Sequence, residues 1–205
     1  SATTLIVSTI LAWMERDGTL DPHTRKLLGF TDNRQDAALQ AGHFNDFIFV
    51  TLLRGAVLRA VRDAGSKGLA PTKFGEAVRL ALGFDLDEAA RLSDWMLDPK
   101  AKGYSNRQQA QESLSEILAH RVWADLRRGW RYTNPNLEEV GLLAAQFPGL
   151  DDLAGDDEEF ADNPRLAALT PDRRKALYEL LFNQMRQGLA VSTDALDRAR
   201  IRQAA

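Results

Sequence analysis

The sequence predicts a mainly α-helical protein that carries one short, buried β-strand near its N-terminus. Apolar residues recur at helical spacing along most of the 205-residue chain. The exception is the run KLLGFT at residues 26–31, which lies between a basic entry and a polar exit and is typical of a strand buried on both faces. With 44% apolar and 27% charged residues, the chain has the composition of a globular domain with a real core.

The first half of the chain contains the longest predicted helix. Apolar spacing predicts one helix over residues 3–15 and a second over residues 35–63, a stretch without proline. Within the second helix, residues 47–53 (FIFVTLL) are apolar on all sides, so we expect them to be deeply buried. Two short helices are predicted at residues 72–82 and 87–97, and the glycine at position 83 is a natural stop for the first.

The middle of the chain predicts one more long helix and an acidic loop. A broad apolar stripe indicates a helix over residues 106–128. A shorter helix is predicted over residues 134–143, because Pro135 suits its first position. Residues 151–159 hold six carboxylates and no basic residue, which predicts a solvated loop.

The last predicted helices begin at Thr170. A capping hydroxyl, a proline at the first position and an acid in the first turn are typical of a helix start, here Thr170, Pro171 and Asp172. Leucines and a methionine continue this helix on an apolar face, and residues 193–205 are helical in propensity.

The isolated strand indicates a piece of a larger protein. A strand that is apolar on both faces cannot satisfy its backbone groups alone, and the sequence contains no obvious neighbouring strand. The chain also opens with Ser1, Ala2 and Thr3 rather than with a methionine, which we interpret as an excised piece. An unpaired strand can pair with a second copy of the chain, and a dimer through that strand would reflect the excision and nothing physiological.

Composition and motifs exclude several classes of site. The chain contains no cysteine, which removes thiolate chemistry and the common cysteine-based zinc sites and fits a cytoplasmic location. The three histidines are far apart, so no metal site is expected. No GxxxxGK[ST] phosphate loop occurs, and no apolar run is long enough to span a membrane. We therefore predict no catalytic residue, no metal and no membrane partner for this chain.

Basic and aromatic residues cluster around the end of the helix predicted at residues 106–128. The net charge of −3 requires any nucleic-acid contact to come from such a local patch. Arginines beside exposed aromatic rings bind phosphates and stack on bases. The alternative is that the tryptophans belong to the core and the arginines form a solvated helix end. With the short helices before it, the patch suggests a winged-helix-like part within residues 67–150. Its residues are Arg121, Trp123, Arg127, Arg128, Trp130, Arg131 and Tyr132.

A family resemblance rests on residues 26–47, KLLGFTDNRQDAALQAGHFNDF. This stretch resembles the opening strand and following helix of the second RecA-like domain in a group of large superfamily 2 DNA helicases, of the DNA-repair and anti-phage-defence type. The family pattern is an apolar strand followed by Phe-(Ser/Thr)-Asp-(Ser/Asn)-Arg-Gln-Asp-Ala, and residues 30–37 (FTDNRQDA) match it nearly residue for residue. Two weaker similarities lie at residues 131–143 and 177–190, in what resembles a helical insertion of these proteins.

The resemblance implies an ATP-driven motor that moves on DNA. ATP and Mg²⁺ would belong to the parent protein, because the chain lacks both the phosphate loop and the arginine-rich motif of the second domain. The chain alone is therefore expected to hydrolyse no ATP and to hold no cofactor. The resemblance assigns residues 1–65 to the N-terminal part of a RecA-like domain and residues 66–205 to a helical insertion. The expected partners are DNA and the remaining helicase domains.

The expected DNA contacts follow from the chemistry of two short sets of side chains. A loop that leaves a buried strand lies where parallel α/β sheets place ligands, and hydroxyl, amide and guanidinium groups suit phosphate contact. An alternative for Arg34 is that it pairs with Asp32 or Asp36 and stabilises the turn. A rival function is a helical protein–protein interaction domain without nucleic-acid binding. The candidate DNA-binding residues are Thr31, Asn33, Arg34 and Gln35 in the first set, and Arg127, Arg128 and Arg131 in the second.

Overall fold

The regular secondary structure of the described residues is entirely helical. A computed structural model describes residues 2–27, 34–84, 95, 103–128 and 135–204, with the backbone alone for residues 2–4, 34–40, 43, 44 and 128. Two compact units, Ser1–Leu52 and Leu53–Ala205, divide the chain. In chain order the helices are α1 (Ala2–Arg16), α2 (Arg34–Ala64), α3 (Phe74–Ala81), α4 (Tyr104–Arg128), α5 (Leu150–Gly155), α6 (Pro164–Ala167), α7 (Pro171–Gln187) and α8 (Arg198–Ala204).

In the unit Ser1–Leu52, the end of α1 is held by polar contacts. The last carbonyls of a helix lack partners within it, so another group must supply the donors. Here the Arg25 guanidinium donates to the carbonyl oxygens of Glu15, Asp17 and Leu20 at 2.9–3.2 Å. The chain therefore turns back after Arg16 and folds against the end of its own helix.

The same unit exposes its apolar side chains. None of its described residues is buried, and Leu5 and Trp13 of α1 are 65% and 62% exposed. The prediction that residues 47–53 are deeply buried is wrong for most of this stretch, since Ile48 is 42% and Leu52 is 49% exposed. An all-round apolar pattern predicts burial only where other elements cover every face of the helix, and the described residues provide no such cover.

The predicted buried strand is wrong. The described residues contain no β-strand, and Lys26 and Leu27, the first two residues of the predicted run, are irregular and exposed. The other four residues of that run lie outside the described part of the chain. The physical reason is that a strand needs a neighbouring strand to pair its backbone groups, and no described segment offers one. A dimer through this strand is therefore not carried further.

The core of the unit Leu53–Ala205 lies between the C-terminal half of α2, α3 and α4. Val78 of α3 and Leu118 of α4 are completely buried. Helices α3 and α4 pack so closely that a Cβ atom on Gly75 would lie 2.0 Å from the backbone oxygen of Ser115. Glycine at this position lets the two backbones meet, which brings the apolar faces of the helices into contact. The buried core residues are Leu53, Ala56, Val57, Val78, Phe84, Leu114, Leu118, Val122 and Leu137.

A second set of contacts joins α5, α6 and α7. The ring of Tyr178 on α7 packs 6.0 Å from Phe160 and 5.6 Å from Phe182. Arg174, only 2% exposed, donates to the carbonyl oxygens of Leu166 and Ala167 in α6 and of Ala154 in α5 at 2.9–3.2 Å. One buried guanidinium therefore satisfies the carbonyls at the ends of two short helices and fixes both to α7.

The predicted helix positions are confirmed for most of the chain. The helices expected at residues 3–15, 35–63 and 106–128 correspond to α1, α2 and α4, and the predicted start at Thr170 is the N-cap of α7. Residues 72–82 contain a short 3₁₀ turn and α3, and the chain then turns at Gly83 with a φ of 82°. The helix expected at residues 87–97 falls outside the described residues, apart from Trp95.

Three other predictions in the second half are wrong. The helix expected over residues 134–143 is a turn, in which the Asn136 side chain accepts from the amides of Glu138 and Glu139. The acidic stretch 151–159 is not a loop, because α5 and a 3₁₀ turn at Glu158–Phe160 fold it onto α7. The winged-helix-like part is absent from the described portion of residues 67–150, which has no strand to form a wing.

Candidate functional site

The predicted DNA-binding residues belong to two different compact units. Arg34 and Gln35 are the first two residues of α2, described by their backbone alone. Thr31 and Asn33 precede them and lie outside the described residues, as does Arg131. Arg127 and Arg128 end α4, and only the side chain of Arg127 is described. Two short basic sets therefore occupy the start of one long helix and the end of another.

The aromatic part of the predicted patch at the end of α4 is core. Trp123 is 5% exposed, and its ring packs 5.7 Å from that of Phe74. A buried ring cannot stack on a base, so the alternative interpretation holds for this tryptophan. Burial also lowers the pKa of the Arg121 guanidinium, which nevertheless stays charged at neutral pH. The predictions for Trp130 and Tyr132 fall outside the described residues.

Arg127 is the described arginine of this patch that remains available to a ligand. It is exposed, and no ion pair or hydrogen bond of its side chain is found among the described residues. Its helix end is held firmly, because the Asn136 amide donates to the carbonyl oxygen of Leu126 at 2.8 Å. Two residues before Arg127, the Asp125 carboxylate accepts hydrogen bonds from the Arg54 guanidinium of α2 at 2.8–3.1 Å. A cation on a fixed helix end is suited to contact a phosphate.

An exposed apolar surface lies on α7. Four large side chains on the apolar face that the sequence predicts for this helix are exposed: Leu177 (44%), Leu180 (63%), Leu181 (48%) and Met185 (40%). We call them the α7 leucine face. The helix buries a different side instead, where Tyr178 and Phe182 make the ring contacts described above. The signal in the sequence was that α7 is apolar on more than one side, so a single core cannot cover it.

An acidic segment is fixed beside the N-terminal half of α7. We define it as residues 151–162, which hold seven carboxylates and no basic residue. Two of these carboxylates anchor the segment to α7, with Asp157 at 2.7 Å from Arg174 and Asp151 at 2.6 Å from Nζ of Lys175. The hydrogen bond from Asp151 raises the pKa of Lys175, and the charges of Asp151, Glu179 and Asp172 add to the effect. No ion pair is formed by the remaining carboxylates, Asp152, Asp156, Glu158, Glu159 and Asp162, within the described chain.

Metal and membrane sites were also sought in the described residues. No group of three or more histidine, aspartate or glutamate side chains there could hold a metal ion. None of the described helices combines the length and the apolar character needed to cross a bilayer. The surfaces that remain as candidates are the exposed arginine at the end of α4 and the α7 leucine face with its acidic neighbour.

Comparison with known proteins adds no relative. No family model, no curated protein and no solved structure matches the chain.

Proposed function

We propose that this chain is a non-catalytic, helical part of an ATP-dependent superfamily 2 DNA helicase, acting in the cytoplasm. The observation that carries the proposal is the motif FTDNRQDA at residues 30–37, which ends inside the first turn of the 31-residue helix α2. This position supports a phosphate contact, because the N-terminus of a long helix has free amides and a positive dipole end. Residues 1–65 would then belong to the second RecA-like domain of the parent, and residues 66–205 to its helical insertion.

The insertion would guide DNA or support the motor, and it would not hydrolyse ATP. Both basic sets are small, so they can position a phosphate backbone without reading its sequence. The exposed Arg127 supports the guiding role, while the burial of Trp123 leaves the described part of the patch at the end of α4 without an aromatic ring for base stacking. ATP and Mg²⁺ would bind elsewhere in the parent protein, where a phosphate loop is present.

Fluorescence anisotropy with labelled single-stranded and duplex DNA across a salt series tests the guiding role. We expect micromolar binding whose logarithm falls linearly with that of the salt concentration. Each phosphate contact contributes about 0.9 to the slope on duplex DNA, so Arg34→Ala and Arg127→Ala should each lower it by about 1. Arg165→Ala is the matched control, since this exposed arginine lies on α6 and belongs to neither basic set. Flat anisotropy at high protein concentration would rule out a DNA-guiding insertion.

A second candidate function is a helical protein–protein interaction domain without nucleic-acid binding. The observation that favours it is the exposure of large apolar side chains on two helices, including Leu5 and Trp13 of α1 and Leu180 of α7. Exposed apolar patches mark sites of association in soluble proteins. The same salt series separates the two candidates, because this second function predicts no binding to DNA.

A further inference from the structure

The α7 leucine face has the geometry of a helix-binding surface. Leu177, Leu180 and Leu181 lie at i, i+3 and i+4, and Met185 follows one turn after Leu181, so the four side chains form one continuous stripe. All four are at least 40% exposed, while the adjoining side of α7, at Tyr178 and Phe182, makes the ring contacts described above. A stripe with this spacing is the type of surface on which an amphipathic helix places its own apolar face.

The charge beside the stripe decides which partner fits. The acidic segment is tied to α7 at Arg174 and Lys175, two and three residues before Leu177. Asp151 and Asp157 therefore hold the segment beside the first turn of α7, just before the N-terminal end of the stripe. Because the other five carboxylates of the segment form no ion pair within the described chain, a ligand with basic side chains gains contacts that the free protein does not have.

The same charge argues against the other occupants of such a face. DNA and anionic membrane surfaces would be repelled by the carboxylates. A second copy that used the same face would bring one acidic segment towards another around a two-fold axis, which places like charges together.

We propose that the α7 leucine face, with the acidic segment beside it, binds a basic amphipathic helix of a partner protein. The apolar side chains of that helix cover Leu177, Leu180 and Leu181, and its lysines or arginines meet the free carboxylates at the rim. The buried apolar contacts supply most of the affinity, while the exposed charge pairs mainly select the partner and speed association. This proposal deepens the second candidate function and does not depend on the helicase assignment.

The test uses the whole chain and a labelled synthetic peptide of about 18 residues, or about five helical turns. Its leucines share one helical face and its other positions are lysine and alanine. Two control peptides accompany it, one with the same composition in scrambled order and one with glutamate in place of lysine. We expect micromolar binding of the first peptide, and binding at least about tenfold weaker for both controls.

Variants of the chain locate the site. Leu180→Asp should weaken binding at least about tenfold, because it places a charge in the centre of the apolar stripe. Leu80→Asp is the matched control, since Leu80 of α3 is also a helical leucine that is 45% exposed, and it should bind as the unchanged chain does. Replacing Asp152, Glu158 and Glu159 by their amides should weaken binding about threefold to tenfold and reduce its salt dependence. Far-UV circular dichroism confirms that each variant remains helical.

Three outcomes would overturn the proposal: equal binding of the scrambled peptide, equal binding of the glutamate peptide, or full binding by Leu180→Asp. A concentration-dependent dimer that Leu180→Asp abolishes would assign the face to a second copy instead. DNA binding by the same samples is measured separately by fluorescence anisotropy. The Leu180→Asp substitution should not change it. Failure of peptide binding therefore stays distinct from failure of the helicase proposal.

Discussion

The two compact units use similar apolar helices with opposite results. In Leu53–Ala205, α3 and α4 bury Val78 and Leu118 completely. In Ser1–Leu52, α1 is at least as apolar, yet Leu5, Ile6 and Trp13 are each more than half exposed. The first unit is held at the end of α1 by the contacts of Arg25, and the second by side-chain packing between helices.

The difference teaches that helix formation and burial have separate causes. Backbone hydrogen bonds and helix propensity are properties of a single segment, so α1 forms without a covered face. Burial requires a second surface of matching shape, which α3 and α4 provide for each other at Gly75. Stability should therefore be sensitive to core substitutions in Leu53–Ala205 and insensitive to similar substitutions in Ser1–Leu52.

The largest effect is expected from Gly75→Val. The new Cβ would meet the Ser115 backbone oxygen at 2.0 Å, and the backbone of α4 cannot yield as a flexible side chain would. We expect the free energy of unfolding to fall by at least about 3 kcal/mol, measured by urea denaturation with far-UV circular dichroism as the probe. Gly55→Ala is the control, because nothing lies within 4 Å of its added Cβ, and it should be neutral or stabilising by up to about 1 kcal/mol. Equal effects of the two changes would contradict the close helix contact.

A matched pair of leucines sharpens the comparison between the units. Leu118→Ala empties a fully buried position of α4 and should cost about 2–5 kcal/mol. Leu11→Ala removes a side chain that is 39% exposed in α1 and should change stability by less than about 1 kcal/mol. Both changes keep a good helix former, so the difference reports packing alone. If Leu11→Ala proved as costly as Leu118→Ala, α1 would have a buried partner.

These contrasts explain how far the sequence could predict the molecule. Helical spacing and capping residues located α1, α2, α4 and the start of α7, because those signals act within one segment. The run at residues 26–31 was mistaken for a strand, since a short apolar run has no periodicity that separates it from other extended or irregular structure. The apolar face of α7 was predicted, but its exposure was not, because apolar spacing does not reveal which side of a helix is covered.

The predictions of site residues were limited in the same way, because a residue's type does not show whether its side chain is buried. The arginines at the end of α4 were chosen by type, and exposure at Arg127 agrees with a binding role. Trp123, chosen by the same reasoning, is buried, because an aromatic ring next to arginines can equally well face inwards. The sequence gives no signal for the burial of Arg174. Its position depends on carbonyl groups of α5 and α6, which meet α7 only in the folded protein.

A change at Arg174 tests the polar contacts that hold α5, α6 and α7 together. Arg174→Met keeps a long apolar stem but leaves the carbonyls of Leu166, Ala167 and Ala154 without their donor. We expect a loss of about 2–3 kcal/mol, since each unsatisfied buried group is costly. The neighbouring Arg173 is exposed, so Arg173→Met is the control and should change stability by less than about 0.5 kcal/mol. Thermal unfolding of both variants measures the difference, and equal midpoints would show that the buried guanidinium is dispensable.

The smallest expected effect is the dependence of folding stability on pH. Its direction at Asp17 in one unit is opposite to its direction at Lys175 in the other. In Ser1–Leu52, the hydroxyl and amide of Thr19 donate to the Asp17 carboxylate and lower its pKa. A lowered pKa in the folded state contributes stability above the unfolded value of about 3.9, and this contribution is lost as the pH falls through the folded value. The pKa of Lys175 is raised in the other unit, so its contribution is present below about 10.4 and is lost as the pH rises through the folded value.

Carboxyl ¹³C titration of Asp17 by NMR measures the first of these shifts directly. Thr19→Ala removes the hydroxyl donor, which is the larger cause, and leaves the amide, so the pKa of Asp17 should rise part of the way to its ordinary value. Thr24→Ala is the control, because the Thr24 hydroxyl donates to a backbone oxygen and not to Asp17. If Thr19→Ala left the titration of Asp17 unchanged, the turn after α1 would not be held by this carboxylate. The ordering of Ser1–Leu52 would then depend on the contacts of Arg25 alone.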